Sequence, residues 1–252
     1  MPENRRLAIN DYIQSHGSAT IEELSVRFPE VSGMTIRRDL EKLERDGEIV
    51  RIRGGARSLA DLSLVREAAY TQRSTEHHDA KSRIAEKAAR LITPGLSLYI
   101  DAGTTCMAFA KRLDSSPLFV LTPAPNIAIE LARAPGITVM MTGGQLNRDT
   151  FMLTGFNAVE YVKTLNIQLA ILGASAFSLR DGFSCGYFEE AELKKLIVKK
   201  AQKTVVLMDN SKFGQCLPYT FARLSTVDAV VTDATPDSDY LSAFARAHVE
   251  CL

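Results

Sequence analysis

The sequence predicts an α/β protein in two parts: a small helical unit closed by a strand hairpin over residues 1–57, and a larger, mostly parallel α/β unit over residues 79–252. A connector at 58–78 joins them. Three observations predict this. Short, capped helical patterns fill the first 46 residues and give way to a strand-and-turn pattern. From residue 79 onward strand and helix patterns alternate. A chain of 252 residues with 46% hydrophobic and 24% charged side chains can bury two cores, which excludes a mainly disordered protein. No apolar run approaches the roughly 18 residues of a membrane span, and no secretory apolar segment follows the N-terminus, so a cytoplasmic protein with no membrane partner is expected.

In the small unit the first helix carries Leu7, Ala8, Tyr12 and Ile13 at helical spacing and stops at Gly17. The second opens on Thr20-Ile-Glu-Glu23, a capping box in which hydroxyl and carboxylate each satisfy a backbone N–H, and turns Leu24 and Phe28 inward. A third helix starts at Ser32 as N-cap, runs to Asp46 and ends at Gly47, with Ile36, Leu40 and Leu43 as its apolar stripe. At 100° per residue from Ile36, Arg38, Lys42 and Arg45 fall at about 200°, 240° and 180°, opposite that stripe. Asp39 and Glu44 fall on the flanks, and Glu41 borders the basic face. Thirty Lys and Arg offset thirty Asp and Glu over the whole chain, so a polyanionic partner has to be met by a local patch of this kind.

After Gly47, Ile49, Arg51 and Arg53 alternate with Val50 and Ile52 before Gly54-Gly55, the pattern of a strand entering a turn, and residues 49–57 hold three arginines and no acid. A charged outer face can be merely solvated. The capping box, the position of the basic face opposite the core and the arginine-bearing hairpin together describe a winged helix-turn-helix. Its third helix is expected in the major groove of double-stranded DNA and its wing on the phosphates or minor groove.

The connector loses clear periodicity and is read as a linker or helical connector, with His77, His78 and Asp79 as surface polar residues rather than a metal site. The four cysteines (Cys106, Cys185, Cys216, Cys251) form no CxxC pair, so neither a disulfide framework nor a zinc cluster is expected. Beyond the connector a helix with Ile84, Ala88 and Leu91 breaks at Pro94-Gly95. Strands are expected at 96–100, 118–122, 137–141, 167–172, 204–209 and 227–232, with helices near 126–133, 155–164, 189–202 and 237–247.

Open α/β sheets bind ligands beyond the carboxyl ends of their strands. Four segments fall there: Asp101-Ala-Gly103-Thr104-Thr105, Thr142-Gly143-Gly144, Gly173-Ala-Ser-Ala176 and Asp209-Asn-Ser-Lys212-Phe-Gly214. Glycine and threonine after a strand often make plain turns, but four such loops on one edge, one with Lys212, favour a pocket for an anionic small molecule. Asp101 suits sugar hydroxyls or the bracing of its own loop. Glu190 and Glu192 complement the dipole at a helix start. Lys194 opposes it, and so has either an anionic partner nearby or solvent.

Ser32-Gly-Met-Thr-Ile-Arg-Arg-Asp-Leu-Glu-Lys-Leu-Glu-Arg-Asp-Gly47, with Arg53-Gly-Gly-Ala56, closely resembles the helix-turn-helix signature of the DeoR family of bacterial transcriptional regulators. Asp101-Ala-Gly-Thr-Thr105, Thr142-Gly-Gly144, Glu190-Ala-Glu-Leu-Lys194 and Asp209-Asn-Ser-Lys-Phe-Gly214 are similar to its effector-domain motifs in the expected order. The chain departs from the pattern in a longer turn at 28–32, at Arg53, at Thr122-Pro-Ala-Pro-Asn126 and at Ala176.

The resemblance implies a homo-oligomeric repressor of a carbohydrate-catabolic operon, with a C-terminal domain resembling sugar-phosphate isomerases and released by a phosphorylated sugar effector. No cofactor is implied. Taken with the helix and wing patterns, it gives Ser32, Met34, Thr35, Arg37, Arg38, Lys42, Arg45, Arg51 and Arg53 as expected DNA contacts. The expected effector residues are Asp101, Gly103, Thr104, Thr105, Gly143, Gly144, Lys194 and Lys212. The alternative is a sugar-phosphate isomerase-like enzyme with an attached helix-turn-helix module, in which Asp101 or Glu190 would act as base.

Overall fold

The computed structural model describes residues 2–16, 18–52, 54–58 and 69–252. The chain divides into two compact units, residues 1–66 and 67–252.

The first unit runs α1 (Pro2–His16), β1 (Ser18–Thr20), α2 (Ile21–Arg27), α3 (Gly33–Arg45), β2 (Ile49–Ile52) and β3 (Gly55–Ser58). The Thr20 capping box forms as read: Thr20 Oγ1 accepts the Glu23 N–H at 3.1 Å, and Glu23 accepts the Thr20 N–H at 2.8 Å. α3 lies between an N-cap at Ser32 and a C-cap at Asp46, and buries Ile36, Leu40 and Leu43.

α1 differs from the expected stripe. It buries Ile9 and Ile13, while Leu7 is 59% exposed. The i, i+4 pair of isoleucines is the stiffer wedge, and facing it inward carries Arg5 round to Asp39 of α3 at 2.7 Å. Asp39 is thus a buried partner of α1 and no mere flank residue.

β1, which the sequence did not suggest, pairs with β3 in the order β1-β3-β2, with Ala19 opposite Ala56. Gly55 is obligatory there, because a Cβ would lie 2.2 Å from the Ala19 carbonyl oxygen. Arg53 lies outside the described residues.

The second unit begins with α4 (Tyr70–Thr75), inside the stretch read as connector, and α5 (His78–Ala89). Then follow β4 (Ser97–Ile100), α6 (Thr104–Ala110), β5 (Leu118–Thr122), α7 (Pro125–Leu131), β6 (Ile137–Met141), β7 (Gln145–Asn147), β8 (Met152–Thr154) and α8 (Phe156–Lys163). The remainder is β9 (Ile167–Gly173), β10 (Ala176–Ser178), β11 (Gly182–Cys185), α9 (Phe188–Lys200), β12 (Ala201–Leu207), β13 (Tyr219–Ala222), β14 (Ala229–Val231), α10 (Ser238–Arg246) and β15 (Glu250–Cys251).

Seven strands form one sheet in the order β15-β14-β12-β9-β4-β5-β6, and every pairing in it is parallel. β9 and β12 are buried on both faces through Leu169, Ala170, Ile171, Leu172, Val205, Val206 and Leu207, which is why they read as near-continuous apolar runs. All six expected strands are present. The seventh, β15, and the two small antiparallel sheets β7-β8 and β10-β11-β13 were not expected, since two to four residues carry no legible period. From β4 the chain builds β5 and β6 on one side and then crosses to β9 on the other. The topological switch point is therefore the β4/β9 seam.

Candidate functional site

On α3 the Ser32 hydroxyl accepts the Thr35 N–H at 3.3 Å and lies 3.1 Å from the Thr35 hydroxyl, so these two residues fix the helix start. Met34, Arg37, Arg38, Lys42 and Arg45 are exposed on the face opposite the core. Arg37, Arg38 and Arg45 have no ion-pair partner among the described residues. Lys42 meets Asp46 at 2.9 Å, and Arg51 of β2 is drawn to Glu41 at 2.7 Å and Glu44 at 3.1 Å. The acids of α3 thus engage the wing arginine, a contact the helix pattern by itself did not show. These pairs are solvent-exposed and weak enough to exchange for phosphate.

At the switch point Asp101 follows β4. Its backbone N–H extends the ladder to Ile171 O at 3.0 Å, and its Oδ2 accepts the Gly173 N–H at 3.1 Å, so the carboxylate staples β4 to the end of β9. The same Oδ2 lies 3.0 Å from Lys194 Nζ, which also meets Glu190 at 2.5 Å and donates to the Gly173 carbonyl at 2.9 Å. The Phe221 ring sits 4.9 Å from that ammonium. Asp101, Glu190 and Lys194 are all buried. Burial pushes the Asp101 carboxyl up from its ordinary value, and Lys194 opposes the shift. The anionic partner sought for Lys194 is therefore internal: Asp101 and Glu190. The dipole argument had accounted for Glu190 without a partner.

Around this staple Gly103 takes φ 116° and half-buried Thr104 and Thr105 open α6. Gly143 and Gly144 turn the chain after β6 with φ of 69° and 108°, and a Cβ on Gly144 would lie 2.3 Å from the Thr154 carbonyl oxygen. Lys212 ends a single 3₁₀ turn after β12, which is fixed by Asp209 accepting the Ser211 N–H at 3.0 Å.

Lys81, Arg73 and Tyr70, which the sequence did not single out, also belong to this edge, as does Asn126, which the sequence marked only within a departure from the family pattern. The Lys81 ammonium is buried and donates to the carbonyls of Arg73 and Glu76, the latter at 2.5 Å, closing the end of α4. Burial pulls the Lys81 pKa down. Nearby Asp209 and Glu76 resist, while Lys212 and Arg73 add to the fall, so three cations and two acids share one neighbourhood. Both α4 and α5 pack on α6. Among the described residues no three His, Cys, Asp or Glu side chains gather as a metal site. Nor is any helix among them long and apolar enough to cross a membrane.

A winged helix with an exposed basic face, followed by a parallel α/β unit with a polar switch-point edge, defines a ligand-responsive DNA-binding regulator. Residues 5–61 match the DeoR-like helix-turn-helix domain and residues 76–234 match the DeoR C terminal sensor domain. The chain belongs to the DeoR family and is a DNA-binding transcriptional regulator with a C-terminal effector-sensing domain. It is 34% identical over 240 residues to the HTH-type transcriptional regulator GlpR of Haloferax volcanii, covering 95% of this chain and 92% of that one. It is 31% identical over 250 residues to the HTH-type transcriptional repressor GlcR of Bacillus subtilis, covering 99% and 95%. Among solved structures, ribose 5-phosphate isomerase A of Methanocaldococcus jannaschii aligns over 55% of each chain, with 16% identity and a TM-score of 0.41.

Proposed function

We propose that this regulator represses a carbohydrate-catabolic operon and is released from its operator when a phosphorylated sugar binds the second unit. Support for the phosphate comes from cations at the carboxyl edge of the sheet: Lys212 on the 3₁₀ turn after β12 and Arg73 on α4 both lie near enough to buried Lys81 to lower its pKa, with Asp209 and Glu76 as the acids among them. Gly103, Thr104, Thr105, Gly143 and Gly144 supply backbone and hydroxyl groups on the same edge. Asp101 and Lys194 act from beneath, holding the β4/β9 seam on which the loops stand. In the first unit Arg37, Arg38 and Arg45 read the groove. Ser32, Met34 and Thr35 set the helix start against the backbone, and Lys42, Arg51 and Arg53 take phosphates.

The protein works as a cytoplasmic homo-oligomer in this reading. Turnover of sugar phosphates is not expected, because the relatives matched over nearly the whole chain are transcriptional regulators.

Thermal-shift titration against phosphorylated sugars and their dephosphorylated counterparts tests the reading. The phosphorylated form should stabilise the protein and the neutral one should not. Linkage requires that operator DNA weaken the effector by the same factor as the effector weakens operator binding. Equal effector affinity with and without DNA would refute gating.

A further inference from the structure

Beside the cationic neighbourhood lies a second group of polar atoms. The Oδ1 of Asn126 and the Oγ1 of Thr150 are buried without a hydrogen-bond partner among the described residues, the Asn126 amide otherwise meeting the Tyr70 phenol, and Thr150 as a whole is 3% exposed. Native proteins leave few such atoms unsatisfied, because each forfeits its hydration.

The two residues flank one element. Tyr70, the first residue of α4, donates its backbone N–H to Asp149 O at 2.7 Å and sets its ring edge-on to Phe151 at 5.0 Å, so it touches both neighbours of Thr150. Partial burial raises its phenol above the ordinary tyrosine value, and a hydrogen bond from the Asn126 amide opposes the rise. The Leu153 N–H reaches Pro123 O at 2.7 Å, tying the segment after Thr150 to the loop that leads into α7, whose first turn carries Asn126.

We propose that Asn126 and Thr150, covered by Tyr70, form a subsite of the sensor domain that reads hydroxyl groups of a sugar or polyol. An amide offers donors and an acceptor together, and a hydroxyl answers both. A phosphate dianion cannot, since it has no proton for Asn126 Oδ1, and an apolar group would leave Asn126 Oδ1 and Thr150 Oγ1 unsatisfied. The subsite deepens the reading of this unit as a sugar-phosphate sensor and rests on it. The cations around Asp209 hold the anionic end, and Asn126 and Thr150 choose which carbon skeleton is accepted. A site built to bond a hydroxyl discriminates strongly against a ligand lacking it.

The test is isothermal titration of the full-length protein with hexose, pentose and glycerol monophosphates, the corresponding free sugars and glycerol, and inorganic phosphate. Asn126→Leu and Thr150→Val are compared with the unsubstituted protein. The subsite predicts that each variant loses about tenfold in affinity for the preferred sugar phosphate and keeps its affinity for inorganic phosphate. A sugar phosphate bound equally by all three proteins overturns the subsite and leaves the sensor reading standing. So does inorganic phosphate binding as tightly as any sugar phosphate. A free sugar that binds without its phosphate, and is lost in the variants, overturns the phosphate reading and retains the subsite. Binding of none of the compounds overturns both. A second measurement needs no ligand: Thr150→Val should match or exceed the unsubstituted Tm, whereas a clear fall would show that the hydroxyl is structural.

Discussion

Arg37, Arg38 and Arg45 stand exposed on α3 with no ion-pair partner among the described residues, whereas Lys194 is buried against Asp101, Glu190 and the Gly173 carbonyl. Both groups are basic side chains on a helix, yet they do opposite work. The α3 arginines keep their hydration in the free protein and are available to phosphate and base edges. Lys194 has exchanged its hydration for fixed partners, so its charge organises the protein and is not presented to a ligand. Burial and partners, rather than residue type, separate a contacting cation from a positioning one.

That contrast is broken first at Lys194. Lys194→Met should destabilise the second unit by about 3–5 kcal/mol, because two buried carboxylates lose their counter-charge. Chemical denaturation followed by a sensor-domain probe reads the loss. A full-stability variant that no longer binds effector would make Lys194 a contacting residue after all.

Lys212→Ala should leave stability and operator binding intact and weaken the phosphorylated effector by about 1.5–3 kcal/mol, the worth of a charge-assisted contact. Unchanged effector affinity would move the phosphate away from the 3₁₀ turn. Arg38→Ala should cost about 1–3 kcal/mol of operator affinity with no change in unfolding, since Ile36, Leu40 and Leu43 keep the core. A gel-shift titration indistinguishable from the unsubstituted protein would remove this face from the groove.

The smallest effect is at the capping box, where Thr20→Ala should cost about 1 kcal/mol of stability in the first unit. Bonds from the Thr20 backbone and side chain hold the Glu23 carboxyl below its ordinary value. A depressed folded-state pKa contributes stability above the unfolded value of 4.5 and loses it as pH falls through the folded one. The difference between Thr20→Ala and the parent should therefore shrink on acidification below that point. A difference independent of pH would mean that the Thr20 hydroxyl does not help to hold the Glu23 carboxylate, whose bond from the residue-20 backbone N–H both proteins keep.

The features legible in the sequence were those with local causes. α3 was placed through a cap, a 3.6-residue stripe and a terminal glycine, all within sixteen consecutive residues. The buried strands β9 and β12 announced themselves as apolar runs. Partnerships across the chain were not legible: Arg5 meets Asp39, and Lys194 meets Asp101, only once topology brings distant segments together. The Asp101 motif could be seen in the sequence, but its use as a staple between β4 and β9 depends on strand order. Tyr70 and Arg73 escaped notice because α4 is six residues long and its Tyr-Thr-Gln-Arg-Ser-Thr has no apolar repeat, and Lys81 of α5 because its partners are the carbonyls at the end of α4. Asn126 stood in view as a departure from the family pattern, though nothing local showed its amide to be buried.

The Asp101 staple also bears on mechanics. β4 and β9 cannot part at their carboxyl ends without breaking the bonds from Asp101 to Gly173 and Lys194, so the floor of the sensor site is expected to behave as a stiff plate. Ligand-driven displacement should then appear in the pieces mounted above it: α4, the turn before β8 and the 3₁₀ turn at Lys212. In hydrogen-exchange terms, the amides of Asp101 and Gly173 should stay slow whether or not effector is bound, while those of residues 70–75 and 149–151 change their rate.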